Sequence, residues 1–169
     1  TFLLGANSPE GVTVITHMAK HTMLRRQVRS HWGITGGDFV SQVKDDLQKV
    51  QLSFLQTYSF LKPTNAERAA KVIRAYVEKY NDAQNARDIF APAGTAHAYD
   101  LIHLLAKAIE SAGSVDRQQV HLALENLDHH SGLVRNYTPP FEKMRHDALN
   151  ASDFSIAKYD ADGVIVPIQ

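Results

Sequence analysis

The stretch Thr1-Phe-Leu-Leu-Gly-Ala-Asn-Ser-Pro-Glu-Gly11 decides the fold, because it joins a short apolar run to the start of a helix. Thr1 to Gly5 has the length and composition of a buried strand that ends at a glycine. Ser8 can cap the following helix, Pro9 suits its first position, and Glu10 favours the positive end of the helix. The stretch therefore predicts a β-α unit.

The residues that follow repeat this unit. Val28 to Ile34 is the next predicted strand, closed by Gly36-Gly37, and Leu52 to Tyr58 is the third. Between them, Phe39, Val43 and Leu47 recur at helical spacing. The order β-α-β-α-β is typical of a parallel sheet that is covered by helices.

The pattern changes after Tyr58, where three helices are predicted in succession. Thr64-Asn-Ala-Glu67 has the composition of a capping box and predicts the start of the first helix. The second runs from about Thr95 to Ala112 and the third from about Asp116 to Leu127. In the second helix, a stripe at helical spacing predicts which side chains point inward, namely Tyr99, Ile102, Leu105, Ala106 and Ile109.

The tail returns to β-structure. Leu133 to Tyr137 is a short predicted strand, and Pro139-Pro140 forces an extended loop. The segments Phe154 to Tyr159 and Val164 to Ile168 flank Asp160-Ala-Asp-Gly163, which predicts a β-hairpin.

Composition narrows the classes of function. The chain has 169 residues, of which 44% are hydrophobic and 21% charged, as in a globular protein. Its 18 basic and 18 acidic residues balance, so charge gives no reason to expect a nucleic-acid partner. The absence of cysteine excludes disulfides, thiolate metal sites and a cysteine nucleophile. Because Thr1 already lies in a predicted strand, we expect the chain to be cut from a longer protein.

The nine histidines raise the question of a metal-dependent hydrolase. His17 and His21 share a helix face, but the catalytic glutamate of the His-Glu-x-x-His motif does not lie between them. His129-His130 and His146-Asp147 are the other clusters. No third ligand follows at fixed spacing, so we expect solvated surface histidines, no metal site and no cofactor. The Gly-x-Ser-x-Gly elbow of serine hydrolases and the phosphate-binding Gly-Lys-Ser/Thr ending are both missing as well.

Four stretches, in this order and spacing, resemble the C-terminal half of the type I periplasmic binding proteins. This family includes the substrate-binding proteins of branched-chain amino acid and amide ABC transporters. The stretches are Gly5 to Gly11, His31 to Gly37, Ala98 to Gly113 with its Tyr-Asp start and Ala-Gly finish, and Tyr159 to Pro167.

The resemblance implies an α/β fold: a truncated lobe with a three-layer parallel sheet flanked by helices, extra helices from the second lobe, and a C-terminal hairpin. Residues 1–57 would belong to the C-terminal lobe and residues 58–128 to the N-terminal lobe, with the tail 129–169 recrossing to the C-terminal lobe. The apolar stripes of the helices would then lack their usual sheet. We expect them to pack on the rest of the chain or on a second copy, as in a domain-swapped or intertwined homodimer.

The function that the resemblance implies is that of a solute receptor rather than an enzyme. Such a receptor is periplasmic, or lipid-anchored outside the cell in a Gram-positive organism, and passes a small amino acid, amide or aromatic acid to a membrane permease. Ligands of open α/β sheets lie beyond the carboxyl ends of the strands. This edge gives the predicted ligand-binding residues: Asn7, Ser8, Trp32, Thr35, Gly36 and Asp38.

One position departs from the family pattern. Thr35 lies where the amino-acid receptors hold the ligand's ammonium group with an acidic residue. Since threonine cannot neutralise a cation, amides, urea-like solutes and aromatic carboxylates remain alternatives to an α-amino acid. A ligand-sensing regulatory domain of the same fold and, less favoured, a metal-dependent hydrolase are the alternative functions.

Overall fold

The computed structural model describes residues 1–168. Its larger sheet has five strands, in the following order across the sheet. The strands are β1 (Phe2–Leu4), β2 (Gln27–Ser30), β3 (Gln51–Gln56), β6 (Ser155–Tyr159) and β7 (Ile165–Pro167). The first three are parallel, whereas β6 runs antiparallel to β3 and β7 antiparallel to β6.

Two helices, α1 (Ser8–Lys20) and α2 (Phe39–Leu47), connect the parallel strands. They cover the same face of the sheet, because Ile15 of α1 and Phe39 of α2 share one buried cluster with Val28 and Phe54. Gly11 makes this packing possible: a Cβ there would lie 2.6 Å from Cγ1 of Ile34. We call residues 1–57 with residues 155–168 the sheet region.

Three further helices follow: α3 (Ala66–Lys79), α4 (Pro92–Ala112) and α5 (Arg117–Glu125). Helices α3 and α4 contribute Ala69 and Ala96 to a second buried cluster, which also contains Phe60 and Leu133, and α5 packs against α4. A two-stranded sheet of β4 (His130–Ser131) and β5 (Asn136–Tyr137) closes this part of the molecule. We call residues 58–149 the helical region. None of the described helices is long and apolar enough to cross a membrane.

A buried carboxylate ties α4 to the small sheet. Asp100 accepts hydrogen bonds from the backbone N–H groups of Leu133 and Val134, and the hydroxyl of Tyr137 donates a third. Gly132 allows this approach, since a Cβ there would lie 2.5 Å from Oδ2 of Asp100. Burial, together with the neighbouring Asp100 carboxylate, raises the pKa of Tyr137.

The fold class is confirmed: a sheet with three adjacent parallel strands, flanked by helices and completed by the predicted hairpin at Asp160–Gly163. The described helices of the sheet region cover one of its faces. On the other face, the side chains of Leu3, Leu55 and Ile156 are exposed.

Several local predictions were wrong. Asn7, not Ser8, is the N-cap residue of α1, because the helix already starts at Ser8. Asn65, not Thr64, caps α3 by accepting from the N–H of Arg68. The second strand ends at Ser30, and Trp32–Thr35 form a 3₁₀ turn that begins where His31 Nδ1 accepts from the N–H of Gly33.

The inward face of α4 was also predicted wrongly. Ile102 and Leu105 are 65% and 41% exposed, whereas Leu104 and Ala108 are buried. The helix turns the face of Ala96, Asp100 and Leu104 toward the second cluster and its buried carboxylate. The apolar side of α4 that contains Ile102 and Leu105 packs against no other helix or strand among residues 1–168.

Candidate functional site

The carboxyl ends of the parallel strands meet at one edge of the larger sheet. Strand β1 leads there into Asn7, β2 into His31 and β3 into Thr57. Because β6 is antiparallel, its first residue, Ser155, lies at the same edge and pairs with Gln56. The chain crosses to the helical region beside this pair.

The first two loops at this edge touch each other at Gly33. A Cβ on Gly33 would lie 2.6 Å from Oδ1 of Asn7 and 2.4 Å from Cε1 of His31. Asn7 is exposed, and its side chain makes no capping hydrogen bond. Its amide is therefore available to a ligand. Ser8 lies beneath it and is buried, with its Oγ 3.6 Å from the position of a Cβ on Gly37.

An aromatic pair borders the same loops. Trp32 is 48% exposed, and its ring stacks on that of Phe154 with 6.0 Å between the ring centroids. The His31 ring meets Trp32 edge-on at 6.2 Å. This pair offers a flat apolar surface beside the free amide of Asn7.

The remaining predicted residues differ in what they offer. Thr35 Oγ1 donates to the carbonyl of Trp32 at 2.7 Å, so its hydrogen is engaged within the turn. Gly36 follows this turn in an extended conformation, and the left-handed residue is Gly37. Asp38 is exposed at the start of α2 and makes no capping bond.

A cavity of about 260 Å³ lies between the two regions. Thr35, Gly37 and Val40 line it from the sheet region, together with the β6–β7 hairpin, and the turn before α4 lines it from the helical region. Of the predicted residues, only Thr35 lines this cavity. Asn7, Ser8, Trp32, Gly36 and Asp38 lie elsewhere on the loops, so the structure divides the predicted set between the cavity and the exposed edge.

The sequence pattern does not identify Arg87, which lines this cavity. Arg87 Nη2 donates to Oδ2 of Asp160 at 2.7 Å and to Oδ2 of Asp162 at 3.1 Å, which joins the two regions. Partial burial alone would raise the pKa of Asp160, but hydrogen bonds from the N–H of Val164 and from Arg87 lower it overall. The partners lie more than 70 positions apart, and no local pattern signals such a pair.

Ala91, the N-cap residue that precedes α4, lines the cavity and has a left-handed backbone with φ 45°. A left-handed conformation is uncommon for alanine, and such strain clusters at binding sites. No feature of the sequence marks Ala91 for this role.

The crossing from β3 to the helical region carries buried polar side chains that were interpreted as part of an apolar strand. Oε1 of Gln56 and the hydroxyl of Tyr58 are buried and make no hydrogen bond with the described residues. Between them, Thr57 Oγ1 lies 2.6 Å from Nε2 of His97. Burial lowers the pKa of His97, although the nearby Asp100 opposes this shift. This imidazole therefore favours the neutral form.

No protein-family model matches the chain, and no curated protein matches it. Solved structures do. A type 1 periplasmic binding protein from Bordetella pertussis Tohama I superposes with a TM-score of 0.79 at 22% identity, covering 98% of this chain and 45% of its own. For a leucine-binding protein from Thermotoga maritima the TM-score is 0.77 at 18% identity, with coverages of 99% and 43%.

A fatty acid ABC transporter substrate-binding protein from Thermomonospora curvata gives a TM-score of 0.69 at 15% identity, with coverages of 99% and 41%. These similarities show that the chain has the type I periplasmic-binding-protein fold. The chain spans less than half the length of these structures.

Proposed function

We propose that this chain is the C-terminal half of an extracytoplasmic solute-binding receptor, which holds a small molecule between its sheet and helical regions and passes it to an ABC-transporter permease. The observation that carries the proposal is the edge at which β1, β2 and β3 end, where residues from separate loops meet beside the crossing between the regions. In open α/β sheets this is where ligands bind.

The chemistry of the edge favours a solute with a flat apolar part and a neutral hydrogen-bonding group. The stacked Trp32 and Phe154 provide the apolar surface, and the unengaged amide of Asn7 both donates and accepts. Thr35 offers no charge to an ammonium group. An amide with a flat apolar part therefore fits this edge best, and aromatic acids and α-amino acids stay alternatives within the same proposal.

A periplasmic or lipid-anchored extracytoplasmic location and delivery to a permease belong to the same proposal. They are supported by the fold, which this chain shares with proteins named as periplasmic or extracellular receptors. Likewise, a receptor that closes around a solute performs no reaction on it, so we propose a binding protein and not an enzyme.

Trp32 is the only tryptophan of the chain, so its fluorescence reports directly on the proposed site. We would titrate the chain with branched-chain and polar amino acids, short amides, urea and aromatic acids. The expected result is a saturable change in emission with one of these classes and one-to-one binding by calorimetry. A ligand at 100 times its dissociation constant would also raise the melting temperature by several degrees.

Variants locate the site. Trp32→Ala and Asn7→Ala should each weaken binding by about tenfold or more, which corresponds to one lost contact of about 1.4 kcal/mol. Phe2→Ala is the matched control, since Phe2 is equally exposed, at 47%, but lies at the opposite, amino end of β1. Equal losses in Phe2→Ala and Trp32→Ala, or no saturable binding of any solute, would contradict a site at this edge.

A further inference from the structure

Three side chains from two separate segments converge on the outer side of α5. They are His121 and Glu125, one turn apart on the helix, and His146 from the loop that follows β5. Glu125 Oε1 lies 2.9 Å from Nε2 of His146 and 3.5 Å from Nε2 of His121. All three donor atoms lie within 4.8 Å of one another, and residues 1–168 contain no other such group of three.

We propose that His121, Glu125 and His146 form a binding site for a divalent transition-metal ion, of which Zn²⁺ is the best fit. Zinc binds imidazole nitrogen and carboxylate oxygen at about 2.0–2.2 Å in a tetrahedron, which puts its ligand atoms about 3.3 Å apart. The two separations from Glu125 bracket this value. Two histidines and one glutamate leave the fourth position to water, an arrangement known for zinc.

Burial and charge support the same assignment. The Glu125 side chain is only 10% exposed, whereas the side chains of His121 and His146 are 59% and 61% exposed. Both rings are therefore open to an ion from solvent, while the carboxylate is shielded. With both imidazoles neutral, the group carries one negative charge, which a divalent cation more than neutralises.

The loop that supplies His146 is held in place by its neighbour. The guanidinium of Arg145 donates to Oε2 of Glu142 at 2.8 Å, to the carbonyl of Asp147 at 2.7 Å and to the carbonyl of Pro139 at 3.1 Å. Backbone hydrogen bonds between Glu142 and Arg145 close the same turn. His146 is thus presented to the helix by an ordered turn rather than by a loose segment.

The helix that supplies the other two ligands is equally fixed. Asp116 caps α5 by accepting from the N–H groups of Gln118 and Gln119. At the other end, the side chain of Asn126 donates to the carbonyl of Leu122 at 2.7 Å. A metal ion bound here would hold the loop of residues 138–150 against the end of α5. The same loop borders an open groove beside α4.

The first measurement is calorimetric titration of the chelator-treated chain with ZnCl₂ at pH 7.5, because zinc binds neutral imidazole. We expect one-to-one binding, and with Co²⁺ the visible absorption of a tetrahedral site. His121→Ala and His146→Ala should each weaken zinc binding at least tenfold. The His17→Ala/His21→Ala double variant is the matched control, since His17 of α1 and His21 just beyond it are also four positions apart, with ring centroids separated by 4.4 Å.

A second readout follows the loop itself. Trypsin cleaves after Lys143 and Arg145, and zinc should slow this cleavage in the wild-type chain but not in His121→Ala. Circular dichroism of each variant verifies its folding. The proposal is overturned if zinc does not bind stoichiometrically, if both single variants bind as tightly as the wild type, or if only the control loses binding. The solute titration followed by Trp32 fluorescence is independent of all these outcomes.

Discussion

The sheet region and the helical region bury their cores by different means. In the sheet region, helices and strands alternate along the chain, and the cluster around Ile15, Phe39 and Phe54 consists of apolar side chains. The helical region has a smaller apolar cluster and is held by the buried carboxylate of Asp100, while Ile102 and Leu105 of the same helix face solvent. In the sheet region, the apolar faces of the helices pack on the strands of the same region. In the helical region, one apolar side of α4 is exposed to solvent.

Among the substitutions that test the difference between the two regions, Phe39→Ala is expected to lower the free energy of unfolding most. Phe39 is fully buried and packs near Tyr159, with 6.0 Å between the ring centroids. Truncating a buried phenylalanine to alanine costs about 3–5 kcal/mol. Denaturant unfolding followed by Trp32 fluorescence should show this loss, and hydrogen exchange should rise first in α1, α2 and β3.

The control for this prediction is Phe90→Ala, which truncates an exposed phenylalanine of the helical region. It should change the free energy of unfolding little. If hydrogen exchange increased equally in both regions of the Phe39→Ala chain, the two regions would unfold as one unit. They would then differ in the residues of their cores but not in their stability.

The next largest effect is expected from Asp100→Ala in the helical region. The substitution leaves two buried N–H groups and the Tyr137 hydroxyl without their acceptor, at a cost of about 1–3 kcal/mol for each unsatisfied group before relaxation. We expect a loss of about 3 kcal/mol, with faster exchange at residues 130–137. Asp128→Ala, at an exposed aspartate, is the control. A small change in the free energy of unfolding would show that the apolar cluster suffices.

A third test concerns the bare side of α4, which we propose is covered by a second copy of the chain. The double variant Ile102→Lys/Leu105→Lys should weaken any homodimer at least tenfold, about 1.4 kcal/mol, by placing charges in the interface. Light scattering across a concentration series measures this. Leu3→Lys, on the exposed face of the sheet, distinguishes the two candidate interfaces. If Leu3→Lys alone dissociates the dimer, the chains associate through the sheet region instead.

The smallest effect is a pH dependence confined to the helical region. Burial lowers the pKa values of both His97 and His130. Each is neutral when folded but takes up a proton more readily when unfolded. The stabilisation is therefore present above the ordinary histidine pKa of about 6.5 and is lost as the pH falls from there toward the lower folded value.

Melting temperatures at pH 7.5 and pH 5 should accordingly differ less in His130→Phe than in the wild type. His129→Phe, at the exposed neighbouring position, is the control and should keep the full dependence. A dependence that is unchanged in His130→Phe would assign the effect to groups other than His130.

The difference between the two regions also explains which parts of the fold can be predicted from the sequence alone. The sheet region was predictable because each strand and its covering helix are neighbours along the chain, so the spacing of Phe39 and Val43 reports directly on their burial. The face of α4 was not, since its packing depends on Leu133 and Val134, which lie far along the chain.

The same reasoning applies to the sites. Asn7 and Trp32 were predicted because parallel strands bring their carboxyl ends together by topology. The Arg87–Asp160 pair and the grouping of His146 with His121 and Glu125 arise from tertiary contacts between distant segments. Periodicity cannot reveal such contacts. The sequence marks Asp160 only as part of the hairpin turn and His146 only as a neighbour of Asp147.

The pairing of Gln56 with Ser155 has a mechanical consequence. The polypeptide leaves the larger sheet beyond Gln56 and re-enters it at Ser155, so its two connections to the helices stand side by side. A single connection would allow the helical region to rotate about any axis. Two adjacent connections favour rotation about the line that joins them. We therefore expect the two regions of this chain to move relative to each other mainly by a hinge opening about that line.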